Sequence, residues 1–289
     1  MEHINVVSIK DKNYPQQLKE IKNPPKFLYY KGEFISKEPC FAIVGARLCS
    51  VYGKEVALEI AGGLADAGFT IVSGLAPGID TASHQAIIEK GKRTIAVLGT
   101  GLDEKTIYPQ SNLKLTQKIL ENNGCLISEY PAKTQGSRFT FPQRNRIISG
   151  LSIGVLVIEA KQKSGALITA NWARMQGRKI FAVPGSIYSQ NSKGCHYLIK
   201  QGAKLAENVQ DIIKELKTQL KFTLNKEDKK SFTEQENLIL NSLKEKSLHI
   251  DEIIEMTKLD AVIINRSLAV LEVKGKIRNL ESDIYALMR

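Results

Sequence analysis

The feature that most constrains this chain is an alternation through its middle: a short apolar run, a glycine-bearing loop, then a helix-length amphipathic segment. The runs are Phe41–Val44, Phe69–Val72, Thr94–Leu98, Cys125–Ile127, Val155–Ile158 and Ile180–Val183, most of them rich in β-branched residues. Continuous apolar runs of this length suit strands buried on both faces of a parallel sheet. The segments between them, 52–67 and 111–122 among them, have the length of crossover helices. Right-handed βαβ units in that order predict an α/β fold, an extended Rossmann-like, doubly wound and mostly parallel sheet over residues 40–213.

The flanks read differently. Residues 1–39 contain Asn23-Pro24-Pro25, end in Glu38-Pro39 and show no strong period, so an extension packed on the sheet is expected there. Residues 214–230 are polar and lysine-rich, as a solvated linker would be. Beyond them, Thr233-Glu234-Gln235-Glu236 matches a capping box at the start of a helix. Helical stretches near 250–257 and 260–273 follow, then Gly275 and two short strands around a polar turn within 276–287. Three helices and a terminal hairpin predict a small C-terminal winged-helix domain over 231–289.

Charge locates the function. The 289 residues carry 41 Lys and Arg against 30 Asp and Glu, a net of +11. Residues 40–213 hold 20 against 12, whereas 231–289 hold 8 against 10. An electrostatic footprint for a polyanion therefore belongs to the sheet domain. With Asp260 opening its expected recognition helix, the winged helix is expected to contact protein or to regulate access rather than to read duplex DNA.

Other classes are excluded early. No apolar run approaches the roughly 20 residues that span a bilayer, and Met1-Glu2-His3-Ile4-Asn5 lacks a secretory pattern, so a cytoplasmic location and no membrane contact are expected. Cys40, Cys49, Cys125 and Cys195 never form C-x-x-C, which argues against disulfides and zinc and leaves them as small hydrophobes. The four histidines are scattered, and a structural or surface role is expected of His84. No metal site and no catalytic nucleophile stands out.

Ligands of open α/β sheets bind outside the carboxyl ends of the strands, so the loops there carry the functional reading. Backbone groups of Gly45, Ala46, Ser73, Gly74 and Gly99 form a candidate phosphate cradle, although such glycines also serve merely to make tight turns. Gly99-x-Gly101 lacks the third glycine of a dinucleotide fingerprint, Glu104 standing in its place, and no P-loop is present. No nucleotide cofactor is expected. In Arg138-Phe139-Thr140-Phe141-Pro142-Gln143-Arg144-Asn145-Arg146, cations for a phosphate backbone alternate with rings on which exposed bases stack, the pairing of a single-strand binder. The same pattern also allows Arg144 and Arg146 to tie the loop to carboxylates such as Glu129 or Glu159. Lys161 and Lys163, with Ser164 as a helix N-cap, add positive potential at a further loop.

Val44-Gly45-Ala46-Arg47, the Ser73–Asp80 loop, Ala96–Asp103, Phe141-Pro142-x-Arg144-Asn145-Arg146 and Ser164-Gly165-x-x-x-Thr169-Ala170 resemble the DprA/Smf family in order and spacing, over about residues 5–205. That resemblance implies a non-enzymatic, sequence-independent single-stranded DNA binding protein. It would protect incoming strands, load RecA during natural transformation, and form a homodimer through the Rossmann-like domain. It places strand contacts on Arg47, Arg138 and Phe141 and completes the pocket wall with the Ser164-Gly165 turn; the residue pattern adds Arg144, Asn145, Arg146, Lys161, Lys163 and Thr169 to the expected strand contacts. The alternative is a phosphoribohydrolase of the lysine-decarboxylase-like group, which shares the sheet. Its P-G-G-x-G-T-x-x-E signature has no counterpart after the fifth run, where Lys161-Gln162-Lys163-Ser164-Gly165 stands.

Overall fold

The computed structural model describes residues 3–216, 233–244, 246–273, 276–280 and 283–288. Two compact units result, Met1–Ile212 and Ile213–Arg289. The larger is built on a nine-stranded sheet in the order β1-β2-β6-β5-β4-β3-β7-β8-β9.

Six of these strands coincide with the apolar runs: β3 (Cys40–Val44), β4 (Thr70–Ser73), β5 (Thr94–Leu98), β6 (Cys125–Ser128), β7 (Gly154–Val157) and β8 (Lys179–Ala182). They pair in parallel, and β9 (Lys204–Leu205) continues the parallel set beyond β8. Their apolar character is continuous because both faces are covered. Ile95 and Val97 of β5 pack in one core with Ile147, Ile148 and Leu151, whereas Ala96 and Leu98 pack in another with Leu115 and Ile119. The first group belongs to α5 (Thr140–Leu151), which is joined in that layer by α6 (Gly165–Met175); the second belongs to α4 (Leu113–Glu121).

The N-terminal segment is part of the sheet rather than an addition to it. β1 (Asn5–Ser8) and β2 (Phe27–Gly32) form an antiparallel pair, and β2 runs antiparallel to β6, Tyr30 opposite Ile127. A four-residue helix, α1 (Gln16–Lys19), lies between them and buries Leu18 in the core shared with α5.

The remaining crossover helices between consecutive parallel strands are α2 (Val51–Asp66), α3 (Ile79–Glu89) and α7 (Lys193–Lys200). A further helix, α8, runs over 209–216. From residue 217 the expected linker lies outside the described residues, as does Gly275.

The smaller unit contains α9 (Glu234–Ser242), α10 (Ile250–Thr257) and α11 (Ala261–Val273), with a three-stranded sheet of β10 (Leu248–His249), β12 (Ile284–Leu287) and β11 (Ile277–Asn279). The capping box is present: Thr233 Oγ1 accepts from the Glu236 amide at 3.2 Å, and the Thr233 amide donates to Glu236 Oε2 at 3.0 Å. Asp260 caps α11, its Oδ1 accepting from the Val262 amide at 2.8 Å. Strand β10 has no counterpart in the sequence reading. Two residues are too few to show a period.

Candidate functional site

The strand order reverses between β3 and β7, which makes the carboxyl ends of those two strands the switch point of the sheet. A crevice of about 570 Å³ opens there. Its first wall is the loop after β3, with Gly45, Ala46, Arg47 and Leu48. The N-terminal part of α5 supplies Phe141, Pro142, Arg144 and Asn145, and Arg138 reaches it from the preceding loop. Lys161, Lys163, Ser164, Gly165 and Thr169 form the opposite side, with Asn191 from the loop beyond β8.

Each wall is fixed locally. Ser137 and Thr140 start α5 by exchanging bonds: the Ser137 amide donates to Thr140 Oγ1 at 2.8 Å, and Ser137 Oγ accepts from the Thr140 amide at 3.2 Å. Ser164 is the N-cap of α6, its Oγ accepting from the Ala166 amide at 3.2 Å, so the positive end of that helix borders the crevice. Gly165 faces open space. Asn145 Nδ2 donates to the Gly165 carbonyl at 3.3 Å and joins the two helices.

The electrostatics are one-sided. Arg47, Arg138, Lys161 and Lys163 are exposed, and none is in an ion pair among the described residues. The one carboxylate in the lining, Asp80, is buried. Aromatic rings sit among the cations. The Arg47 guanidinium lies 5.9 Å from the centre of the Phe141 ring, Arg138 stacks over Phe139 at 4.8 Å, and Tyr108 packs on Phe141 with centroids 5.4 Å apart.

Two arginines singled out in the sequence are turned inward. Arg144 is 5% exposed; it donates to the carbonyls of Gly74 (2.7 Å) and Val97 and to Asn145 Oδ1 (3.1 Å). Burial lowers its pKa to about 10, against the upward pull of Asp80. Arg146 is also buried, pairs with Glu129 and does not line the crevice. Both guanidinium groups are thus engaged inside the protein, because α5 dips beneath the crevice after its first turn, and neither is carried forward as a strand contact.

The expected phosphate cradle is divided: Gly45 and Ala46 line the crevice, whereas Ser73, Gly74 and Gly99 do not. Ser73 donates to the Ile43 carbonyl at 2.6 Å, and the amides of Gly74 (3.1 Å) and Ala76 (3.4 Å) donate to Asp80 Oδ2. An internal carboxylate fills the anion position of that loop. Burial raises the Asp80 pKa, opposed by the Arg144 charge and those two amides. Gly99 does not line the crevice either. A Cβ there would stand 2.6 Å from the Phe141 ring, so the glycine seats that ring.

Sequence reasoning passed over Leu48, Asp80 and Asn191. Asp80 lies within the quoted Ser73–Asp80 loop, whereas nothing marks Asn191 before the loop after β8 is placed in space. Glu159, beside the crevice, accepts from the Ser50 amide (2.8 Å), Ser50 Oγ (2.6 Å) and Asn191 Nδ2 (3.2 Å). No group of three or more His, Cys, Asp or Glu among the described residues could hold a metal ion. No helix among them is long and apolar enough to cross a membrane.

A mostly parallel sheet with its crevice at the switch point, followed in the chain by a winged helix, defines the class: a Rossmann-like α/β protein with a winged-helix domain. Within that class the chain belongs to the DNA recombination-mediator protein A family, whose model matches residues 5–217; the DprA winged helix domain model matches 226–282. It is similar to the DNA processing protein DprA of Streptococcus pneumoniae, 48% identical over 209 residues, 72% of this chain and 73% of the relative. An X-ray structure of DprA from S. pneumoniae superposes with a TM-score of 0.70 at 46% identity, covering 73% of this chain and 74% of that one. DNA processing protein A from Helicobacter pylori, whose structure is described for a unique single-stranded DNA binding mode, gives 0.65 at 31% identity, covering 75% and 98%.

Proposed function

We propose that the crevice binds single-stranded DNA without regard to sequence and that the chain acts as a recombination mediator. In this role it protects incoming strands and loads RecA during natural transformation, working in the cytoplasm as a homodimer built on the Rossmann-like domain. The observation that carries the DNA assignment is the group of four exposed cations, Arg47, Arg138, Lys161 and Lys163, around the Phe141 ring. Cations neutralise phosphates of any sequence, and every base has a face that stacks, at about 1–3 kcal/mol each. The mode described for the H. pylori relative supports the same choice of ligand. The RecA and homodimer assignments rest on family membership. For the homodimer there are also exposed Met175, Tyr197 and Leu205 on α6, α7 and β9, elements at one end of the sheet.

The state of the carboxylates supports binding over catalysis. Asp80 and Glu159 each accept hydrogen bonds from backbone amides, and neither stands free as a general acid for a phosphoribohydrolase.

The test is a fluorescence titration of single-stranded and duplex DNA at two salt concentrations. Arg47→Ala and Arg138→Ala each weaken binding to every sequence and reduce the slope of log K against log salt by about 0.7. Phe141→Ala weakens binding with the slope unchanged, because stacking releases no counterion. Unaltered affinity in all three variants would remove the crevice as the DNA site.

A further inference from the structure

Exposed apolar side chains continue past the crevice on the side away from Phe141. Leu48, which lines it, is 83% exposed, and Ile187 and Tyr188 in the loop after β8 are 64% and 89% exposed. An exposed ring on a loop is ordinarily unremarkable. This loop, however, is held at many points. Tyr52 donates its hydroxyl proton to the Pro184 carbonyl at 2.9 Å, and Asn191 Nδ2 donates to the Leu48 carbonyl at 3.1 Å. Lys193 Nζ donates to the Ile187 carbonyl at 2.7 Å, and the Tyr188 amide donates to Ser186 Oγ at 3.3 Å. The Ala160 amide also donates to the Asn191 carbonyl at 2.7 Å, tying the loop to the end of β7. Tyr188 is therefore displayed on a fixed backbone, joined through Asn191 and Leu48 to the crevice wall.

The strand order gives the direction. Along the carboxyl edge of the sheet lie the loop after β5 with Tyr108, then β4, β3 with Arg47, β7 with Lys161 and Lys163, and β8 with Tyr188. Aromatic groups stand at both ends of this row and cations stand between. Four inter-strand gaps of about 4.8 Å make it roughly 19 Å long. A stacked strand at roughly 3.4 Å per nucleotide covers that in about six nucleotides.

Resting on the assignment of the crevice to DNA, we infer that the bound strand leaves it across the loop after β8 and stacks a base on Tyr188. The strand thereby runs perpendicular to the sheet strands, from Phe141 to Tyr188, with its phosphates on the cations between them.

Titration of the full chain with oligothymidylates of 4 and 20 nucleotides tests this path. Tyr188→Ala is expected to weaken the 20-mer about tenfold, roughly one base stack, and the 4-mer less than twofold, with the salt slope unchanged. Tyr188→Phe is expected to keep the affinity of the parent chain. Affinity for the 20-mer within twofold of the parent in Tyr188→Ala, while Arg47→Ala still loses binding, overturns the path, leaves the crevice assignment standing and gives the patch to a protein partner. If Arg47→Ala leaves both lengths unchanged, the crevice assignment falls and the path with it.

Discussion

At the scale of single residues, the same side-chain type does opposite work depending on depth. Arg47 and Arg138 are exposed beside aromatic rings, whereas Arg144 is consumed by carbonyls 70 and 47 positions away in the chain. Nothing local in the sequence separates them, since the partners that bury Arg144 are backbone atoms contributed by other strands. Gly99 shows how a site depends on a residue that never touches the ligand. Gly99→Ala puts a methyl group into the Phe141 ring and is expected to reproduce Phe141→Ala in the DNA titration: weaker affinity, unchanged salt slope, and loss of stability by urea denaturation of no more than about 3 kcal/mol. His84 offers a proton-linked test. Thr94 Oγ1 donates to the Ile71 carbonyl (2.7 Å) and so accepts from His84 Nδ1 (2.8 Å), leaving His84 Nε2 buried without a partner among the described residues. Burial, with a smaller push from the Arg144 charge, lowers its pKa to about 3. The unfolded chain takes a proton near pH 6.5 that the folded protein refuses. The contribution of neutral His84 is therefore complete above that pH and declines, as pH falls towards 3, by about 1.4 kcal/mol per unit. In His84→Gln the pH dependence of urea denaturation is expected to flatten over that window.

At the scale of elements, legibility in the sequence followed burial on two faces. The run Thr94–Leu98 coincides with β5 because every residue in it is enclosed by helices on one side or the other. β1 and β2 escaped notice because they sit at the antiparallel margin of the sheet, where the burial of β2 is partial and its pattern mixes Tyr, Lys and Gly. The helix caps were legible at Ser164 and Thr233, where a side chain and an amide two or three residues on suffice to define the feature. The crevice was legible in part: its cations and Phe141 came from one loop and two short motifs, but Asn191 enters from an element whose place depends on the whole sheet. The winged helix illustrates the complementary point. Along α11 the exposed residues include Ala261, Val262, Asn265, Arg266 and Ala269, a face with a single cation. Arg266→Ala in the full chain is expected to change single-strand affinity less than twofold in the same titration that registers Arg47→Ala.

At the scale of the molecule, the excess of cations over the sheet domain and the net −2 of residues 231–289 set the two units apart in charge. Exposed Met175, Tyr197 and Leu205 bear on assembly. The chain is expected to sediment as a dimer at micromolar concentration, and Leu205→Glu to shift it towards monomer, as read by analytical ultracentrifugation. The topology also sets a schedule. Arg47 leaves the ribosome early, but the surfaces that complete its crevice come from the Arg138 loop, α5, α6 and the loop ending near Asn191, roughly 90 to 145 residues downstream. Because β7 returns to pair with β3 only after β4, β5 and β6 have been laid down on the other side, the crevice closes last. At roughly 5–20 residues per second of synthesis, about seven to thirty seconds separate the first wall from the last. Through that interval the nascent chain carries Arg47 but no crevice around it, so binding in the crevice, whatever the ligand, is a certificate that the sheet has been built through β8.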